Sequence, residues 1–462
     1  MANRDVLGTL ALCAAALSAG IATAASDAPK AAVKVDFGVE TGPVKPVNGV
    51  GQPPLIGSLA GWDLMHYLKE AGIPYSRLHD VGGWLGGGLF VDIPNLFRNF
   101  DADENDPANY SFVYTDELLK VLLENGVEPF FRLGVTIENF APRLPRVHTD
   151  PPKDFAKWAR ICEHVVAHYN EGWANGFRMN ISYWEIWNEP THESMWGGAF
   201  ADYTRLYGTT AQHLKERFKN IKVGGYAAMT HSQARDWKVK VGKNLDDFLA
   251  EVKRSGWPLD FFSYHGYCTM ADTMDRIRYF DETLNANGFT MDKTERIFNE
   301  WLPYHHKREL LGTAEQSSLV GATLAAMQNG PVNVACIYDA RCDIGTYSAL
   351  FNPDTLRPRK AYYAFLAFNE LRKLGTAVKV SGSADEVGGD LWFTAAKSAD
   401  GRKGAVMAVN VGKTPLPLPE IARGMKTVRS MAVDAAHDFE PVPLADNIGS
   451  QTILLIETEA EK

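Results

Sequence analysis

Eight short β-like runs, each leading into a stretch of helical periodicity, predict an α/β fold: a (β/α)8 TIM barrel. Beyond about Gly375 the rhythm changes to alternating strand-like runs with no long helix, which predicts a small C-terminal β-sandwich. A third observation fits the same architecture. The longest interruption, residues 80–111, follows a strand, and barrels carry their long functional loops after strands.

In chain order, the first segment is read as a signal peptide over residues 1–24. Arg4 precedes an apolar run from Val6 to Leu17, and Ala22-Thr23-Ala24 supplies a small-x-small cleavage pattern. A secreted or periplasmic location is therefore expected, with the mature chain starting near Ala25. Cys13 follows the bulky Leu12, where a lipoprotein anchor requires a small residue. The apolar run is shorter than the roughly 20 residues that span a bilayer, and no later segment qualifies, so no membrane span is expected.

Residues 25–45 hold a strand-like stretch, Ala32–Val39, that could join the C-terminal sandwich. The barrel is assigned to residues 46–375 and the sandwich to 376–462. The expected barrel strands are Val47–Val50, Pro74–Leu78, Pro129–Leu133, Ile181–Trp187, Ile221–Gly225, Asp260–Tyr264, Arg296–Asn299 and Val332–Tyr338. Helical patterns lie between them, among them Leu59–Ala71, Thr115–Asn125, Asp154–Tyr169, Ala199–Phe218 and Arg359–Leu371. An open doubly wound sheet would have to be unusually long, and no phosphate-binding glycine fingerprint follows its first strand. The Gly-rich start of the 80–111 loop, VGGWLGGG, lets the chain pass close to a ligand, so this loop is expected to wall the cleft.

Composition narrows the function. With 45% hydrophobic and 22% charged residues the chain is ordinary globular protein, and a net charge of -9 argues against a nucleic-acid partner. Eleven tryptophans suit the stacking platforms of sugar sites. No cofactor or metal is expected. The acidic stretch from Asp101 imitates a calcium loop but has Asp106 where Gly belongs and Phe112 where Glu belongs, and His305 and His306 are adjacent rather than spaced as ligands. Cys162, Cys268, Cys336 and Cys342 match neither a zinc site nor a redox pair and are read as buried thiols, with a disulfide as the alternative. Nothing in the pattern specifies an oligomeric state.

The chemistry-bearing segment is Tyr183-Trp-Glu-Ile-Trp-Asn-Glu189-Pro190. Alternation along a strand would turn Tyr183, Glu185 and Trp187 into the barrel and leave Asn188 and Glu189 at its C-terminal rim, where barrel active sites lie. Glu185 and Glu189 would stand about 13 Å apart at ~3.3 Å per residue. Retaining glycoside hydrolysis needs carboxyls only ~5–5.5 Å apart. Glu185 is therefore expected to be buried against a core cation such as Arg132. A partner for Glu189 comes from the seventh strand, Arg296-Ile-Phe-Asn-Glu300-Trp301, where an apolar run ends in a carboxylate followed by an aromatic.

With WNEP at the fourth strand and a Glu closing the seventh, the chain resembles clan A of the glycoside hydrolases. Tyr75-Ser-Arg77-Leu-His79, Ser263-Tyr-His265-Gly-Tyr267 and Pro358-Arg-Lys-Ala-Tyr-Tyr363 look most like glycoside hydrolase family 39. The resemblance covers the barrel, and the family's β-sandwich accessory fits the tail. It implies a retaining glycosidase acting on an oligosaccharide or polysaccharide, with β-xylosidase as the leading activity. Glu189 would be the acid/base, with a raised pKa, and Glu300 the nucleophile, kept ionised by Arg77. Tyr267 would hydrogen-bond Glu300 and Asn188 would grip the sugar 2-OH. His79, His265, Trp301 and Tyr338 are further candidates for contact with the sugar. At the eighth strand Tyr338-Asp339 stands where a tryptophan is expected. The alternatives are an arabinofuranosidase or another enzyme of exopolysaccharide or arabinogalactan, and a non-catalytic carbohydrate-binding barrel.

Overall fold

The computed structural model describes residues 34–54, 64–81, 91–136, 149–230, 237–304, 307–342, 345, 347–418, 420–421 and 424–461. The signal-peptide segment, His305, His306 and the glycines at the start of the long loop lie outside them.

Eight parallel strands close into a barrel: Gly49–Gly51, Tyr75–Leu78, Glu128–Leu133, Tyr183–Ile186, Lys222–Ala228, Phe261–Tyr267, Glu295–Leu302 and Val334–Tyr338. The period-two alternation of strands stacks the interior in layers. Tyr75, Phe130, Tyr183, Phe261, Ile297 and Val334 form an apolar floor. Two residues further along their strands, Arg77, Glu185, Ser263 and Asn299 make a buried polar layer, joined by hydrogen bonds centred on Glu185. The next residues up form the mouth.

The surrounding helices start where side chains satisfy their unpaired N–H groups. Asp154 accepts from Lys157 N, Thr269 from Asp272 N and Thr313 from Gln316 N, opening the helices Phe155–Asn170, Met270–Ala286 and Ala314–Asn329.

The tail forms an eight-stranded, largely antiparallel sheet that takes in Lys34–Pro43, paired with Thr376–Ser381. One face of the sheet, with Met407, Val409, Ile453 and Leu455, merges into the barrel's main hydrophobic cluster. Helix Ala314–Asn329 fills the junction with small residues, and a Cβ on its Gly321 would come within 2.7 Å of Ile453 Cδ1. The other face buries Val35, Phe393, Val406, Ala408 and Ile456, with Leu416 and Leu418 packed against them. Leu416–Pro417 and Asn447–Ile448 form a two-stranded pair of their own. The second layer is thus a short ribbon with flanking loops.

Several expectations need correction. The described end of the long loop is structural: Val91, Ile93, Leu96 and Phe97 are core residues, and Ile93 N bonds Gly134 O. Its Asp92 accepts from Arg132 Nη2 at 2.6 Å, so Arg132 is not the partner of Glu185. Trp187 does not point into the barrel. Its left-handed backbone (φ 68°) breaks the alternation, and the indole packs outside against Trp158 and Trp196. In the acidic stretch, Asp101 meets Lys153, Asp103 accepts from Asn105 N, and Glu104 meets Lys157 and Arg160. The four described cysteines are buried thiols with no disulfide among them.

Candidate active site

The polar layer and the mouth meet at Arg77. From the second strand its guanidinium donates to three acceptors: Nε to Glu185 Oε2 at 2.7 Å, Nη1 to Glu300 Oε1 at 2.5 Å, and Nη2 to Asn188 Oδ1 at 2.6 Å. One planar cation thereby fixes a carboxylate below it and two side chains of the mouth above. Glu185, also bonded by Ser263 and Asn299, is the buried counter-charge that holds Arg77 in place. With Asn188 Oδ1 committed to Arg77, its amide nitrogen is the group it can offer a sugar hydroxyl.

Local backbone explains the two glutamates. After Ile186 the chain passes through Trp187 and Glu189, both left-handed (φ 68° and 44°), which sends Trp187 outward and Asn188 and Glu189 over the mouth. On the seventh strand the register with its neighbours shifts around residues 298–301. This bulge turns two successive residues inward, Asn299 to Glu185 and Glu300 to Arg77. Trp301 then faces away and is fully buried in the main hydrophobic cluster, so it does not join the site.

Glu300 also accepts from the Tyr267 hydroxyl. His265, a candidate sugar ligand, stands between the two glutamates, its Nδ1 2.6 Å from Glu189 Oε1 and 3.4 Å from Glu300 Oε2. Burial lowers its pKa to about 4, so the imidazole is neutral near neutral pH. Burial raises Glu189 to about 7, against the pull of His192 and Arg77. Glu300 was expected to lie low, but burial pushes it above the ordinary carboxyl value too. His265, Arg77 and the Tyr267 hydroxyl oppose that rise, and the two direct donors favour its ionised form. Glu189, Glu300 and His265 bring one ligating atom each within 4.8 Å of one another. The Arg77 guanidinium already neutralises Glu300, which disfavours a metal cation there.

The profile of the glycosyl hydrolases family 39 matches residues 52–314, which takes in the mouth residues up to Glu300. The chain belongs to that family. A β-xylosidase of Caldicellulosiruptor saccharolyticus is 28% identical over 210 residues, 43% of this chain and 38% of the relative. A β-xylosidase of Geobacillus stearothermophilus is 28% identical over 231 residues, 48% and 44% of the two chains. The chain thus spans less than half the length of these relatives. Among solved structures, a glucosidase from Croceicoccus marinus aligns with TM-score 0.72 at 18% identity, covering 93% of this chain and 99% of the other. A monomeric β-xylosidase from Caulobacter crescentus aligns with TM-score 0.69 at 18% identity and the same coverage. An α-L-arabinofuranosidase from Thermotoga maritima aligns with TM-score 0.62 at 16% identity, again over 93% and 99%. At such identities the likeness establishes the fold.

Other mouth residues of this family 39 chain follow the sequence in part. His79 is buried, with Nε2 3.2 Å from Asp80 Oδ1, and burial holds its pKa well below the usual histidine value. Tyr338 is at the mouth, but its hydroxyl is committed: it donates to Asp80 Oδ2 at 2.8 Å and accepts from Gln52 Nε2 at 3.0 Å. Sequence reasoning missed Gln52, Asp80, Arg341 and Tyr347. Gln52 follows strand one directly and Asp80 lies two residues past the end of strand two, which is a usable signal, and both have left-handed backbones (φ 59° and 54°). Arg341, bonded to Asp339 Oδ2 at 2.7 Å, and Tyr347 belong to the connection after the eighth strand, where no periodicity marks them.

Proposed function

We propose that the protein is a secreted, retaining, exo-acting glycosidase of β-xylosidase type, working by double displacement on a neutral, pentose-containing glycan. The observation that carries this reading is the opposed pair of carboxyls with unlike surroundings. An oxygen of Glu189 lies within 4.8 Å of one of Glu300, a close pairing that fits the short carboxyl separation of retaining enzymes (~5–5.5 Å) and falls short of the ~6.5–9.5 Å that leaves room for an inverting water. Glu189, mostly buried beside a neutral imidazole, keeps its proton and donates it to the leaving oxygen. Glu300, in the grip of Arg77 and Tyr267, attacks the anomeric carbon and forms a glycosyl ester. Glu189, now ionised, takes a proton from the water that cleaves the ester. Asn188 holds the 2-OH throughout, a contact that strengthens in the transition state.

The neutral glycone follows from the charges around the mouth. Besides the catalytic pair, Asp80 and Asp339 stand close to Arg341, which is bonded to Asp339. An acidic sugar would find both Arg77 and Arg341 committed, Arg77 to Glu185 and Glu300 and Arg341 to Asp339. The β-xylosidase names of the two relatives favour xylose, and the arabinofuranosidase among the structural neighbours makes arabinose the second reading. Hydrolysis of nitrophenyl β-D-xyloside, α-L-arabinofuranoside, β-D-glucoside and β-D-glucuronide, with product stereochemistry followed by NMR, tests the proposal. Release of xylose with retained configuration supports it. Inversion, or preference for the glucuronide, overturns it. Secretion is tested by sequencing the N-terminus of the exported protein, expected near Ala25.

A further inference from the structure

We propose that Tyr347 is a sugar-contacting residue that forms the aromatic wall of the glycone subsite and sets the enzyme's sugar preference. The inference rests on the glycosidase reading above and extends it to a residue on the connection between the eighth strand and the last helix.

The eighth strand ends in Tyr338-Asp339, and Tyr338 is poorly placed to serve as the platform itself. It is 6% exposed, and its hydroxyl is fixed by Asp80 and Gln52. Its ring is packed edge-on against two further tyrosines, Tyr267 at 5.7 Å and Tyr347 at 5.2 Å between centroids. Tyr347 also meets Tyr267 edge-on at 5.4 Å, so the three rings close a triangle. The corner at Tyr267 bonds the nucleophile, the corner at Tyr338 is anchored in the wall, and the corner at Tyr347 remains partly open to solvent.

Tyr347 is held there by its own connection. Asp339 N donates to Tyr347 O at 2.9 Å, Ala349 N donates to Asp339 O at 3.3 Å, and Ser348 Oγ donates to Arg341 O at 2.5 Å. These bonds fold the chain after the strand back over the mouth. Burial pushes the Tyr347 phenol up to about 12, and Glu300 and Glu189 push it the same way, which places the ring within electrostatic reach of both carboxyls. A partly exposed residue whose ring touches Tyr267, the donor to Glu300, borders the space that a sugar bound at the two glutamates would fill. Aromatic rings take the apolar C–H face of a sugar, and a phenol adds one hydroxyl contact.

The test compares wild type, Tyr347→Phe and Tyr347→Ala on nitrophenyl xylosides, arabinofuranosides and glucosides with leaving groups of different acidity. Binding of free D-xylose and L-arabinose is measured by calorimetry beside it, and thermal melting shows that each variant is folded. Tyr347→Ala should lose about tenfold to a hundredfold in kcat/KM, a loss in the range of a single pocket contact. The loss should be the same for good and poor leaving groups, because the contact is with the glycone, and its size should differ between xyloside and arabinofuranoside. Tyr347→Phe should recover most of it. Wild-type kcat/KM on every glycone in a folded Tyr347→Ala, or a loss that grows with leaving-group pKa, overturns the proposal and leaves the glycosidase reading standing. If wild type binds xylose or arabinose but cleaves nothing, the glycosidase reading fails, and loss of that binding in Tyr347→Ala still upholds the contact. Absence of both cleavage and binding refutes both.

Discussion

Replacing Glu189 by Gln should abolish the acid catalyst and, above neutral pH, stabilise the fold. Burial moves this carboxyl from 4.5 to about 7, because the folded protein disfavours the charged form. Moving a pKa that far is worth about 3 kcal/mol, at roughly 1.36 kcal/mol for each pH unit. The folded state holds the proton more tightly than the unfolded chain, so wild-type stability falls as pH rises between 4.5 and about 7 and stays reduced above that. Glutamine is neutral at every pH and escapes the penalty while keeping a group able to bond His265 Nδ1. The variant should match wild type at pH 4.5 and melt a few degrees higher at pH 8, the shift that about 3 kcal/mol produces in a chain this large. Thermal melts of both proteins from pH 4.5 to 8.5 measure the difference, and the kcat/KM profile of wild type should show an alkaline limb near 7. A variant that melts lower than wild type at pH 8, or a difference that does not change with pH, would refute the reasoning that burial holds the proton on Glu189.

Three further outcomes are expected. Kinetically, Glu189→Gln should lose most activity on glycosides with poor leaving groups and little on activated aryl glycosides, with azide restoring turnover of the second step; equal losses without rescue would remove Glu189 from the acid/base role. A 2-fluoro glycoside of the accepted sugar should leave its label on the peptide holding Phe298-Asn299-Glu300, as mass spectrometry of a digest will show, whereas a label between Trp187 and Pro190 would exchange the two roles. Arg77→Met should cost roughly 3–5 kcal/mol of stability by stranding buried Glu185, and in whatever remains active the acid limb of kcat/KM should move to higher pH, since Glu300 loses the cation that favours its charge; an unmoved acid limb would mean that Arg77 does not govern Glu300.

The barrel was legible because its strands are short apolar runs buried on both faces, and such runs differ in composition from the amphipathic helices between them. Boundaries moved by a few residues at the strands' upper ends: Lys222–Ala228 and Phe261–Tyr267 both run past the expected stops. The second extension carries His265 and Tyr267, so that strand outlasts its hydrophobic pattern beside the candidate site. The ribbon covering the outer sheet was not legible, because two-residue pairs such as Leu416–Pro417 with Asn447–Ile448 leave no periodicity to detect.

The misplaced site residues share one physical cause. Strand alternation correctly carried Tyr183 and Glu185 inward, and it failed where the backbone leaves the regular strand. At Trp187 a left-handed residue reverses the side chain's direction, and at Asn299-Glu300 a bulge sends two neighbours to the same side and Trp301 to the other. These irregularities lie beside the two glutamates because an unbroken alternation could not present Glu189 and Glu300 to each other while keeping Trp187 and Trp301 in the core. The same logic explains Glu185. Its register partner across the sheet is Arg132, the cation that spacing suggests, yet Asp92 draws Arg132 away and Arg77 takes its place. Among the described residues Arg77 alone reaches Glu185, Asn188 and Glu300 together, so the buried pair that looks like core packing in the sequence is the anchor from which the mouth is positioned.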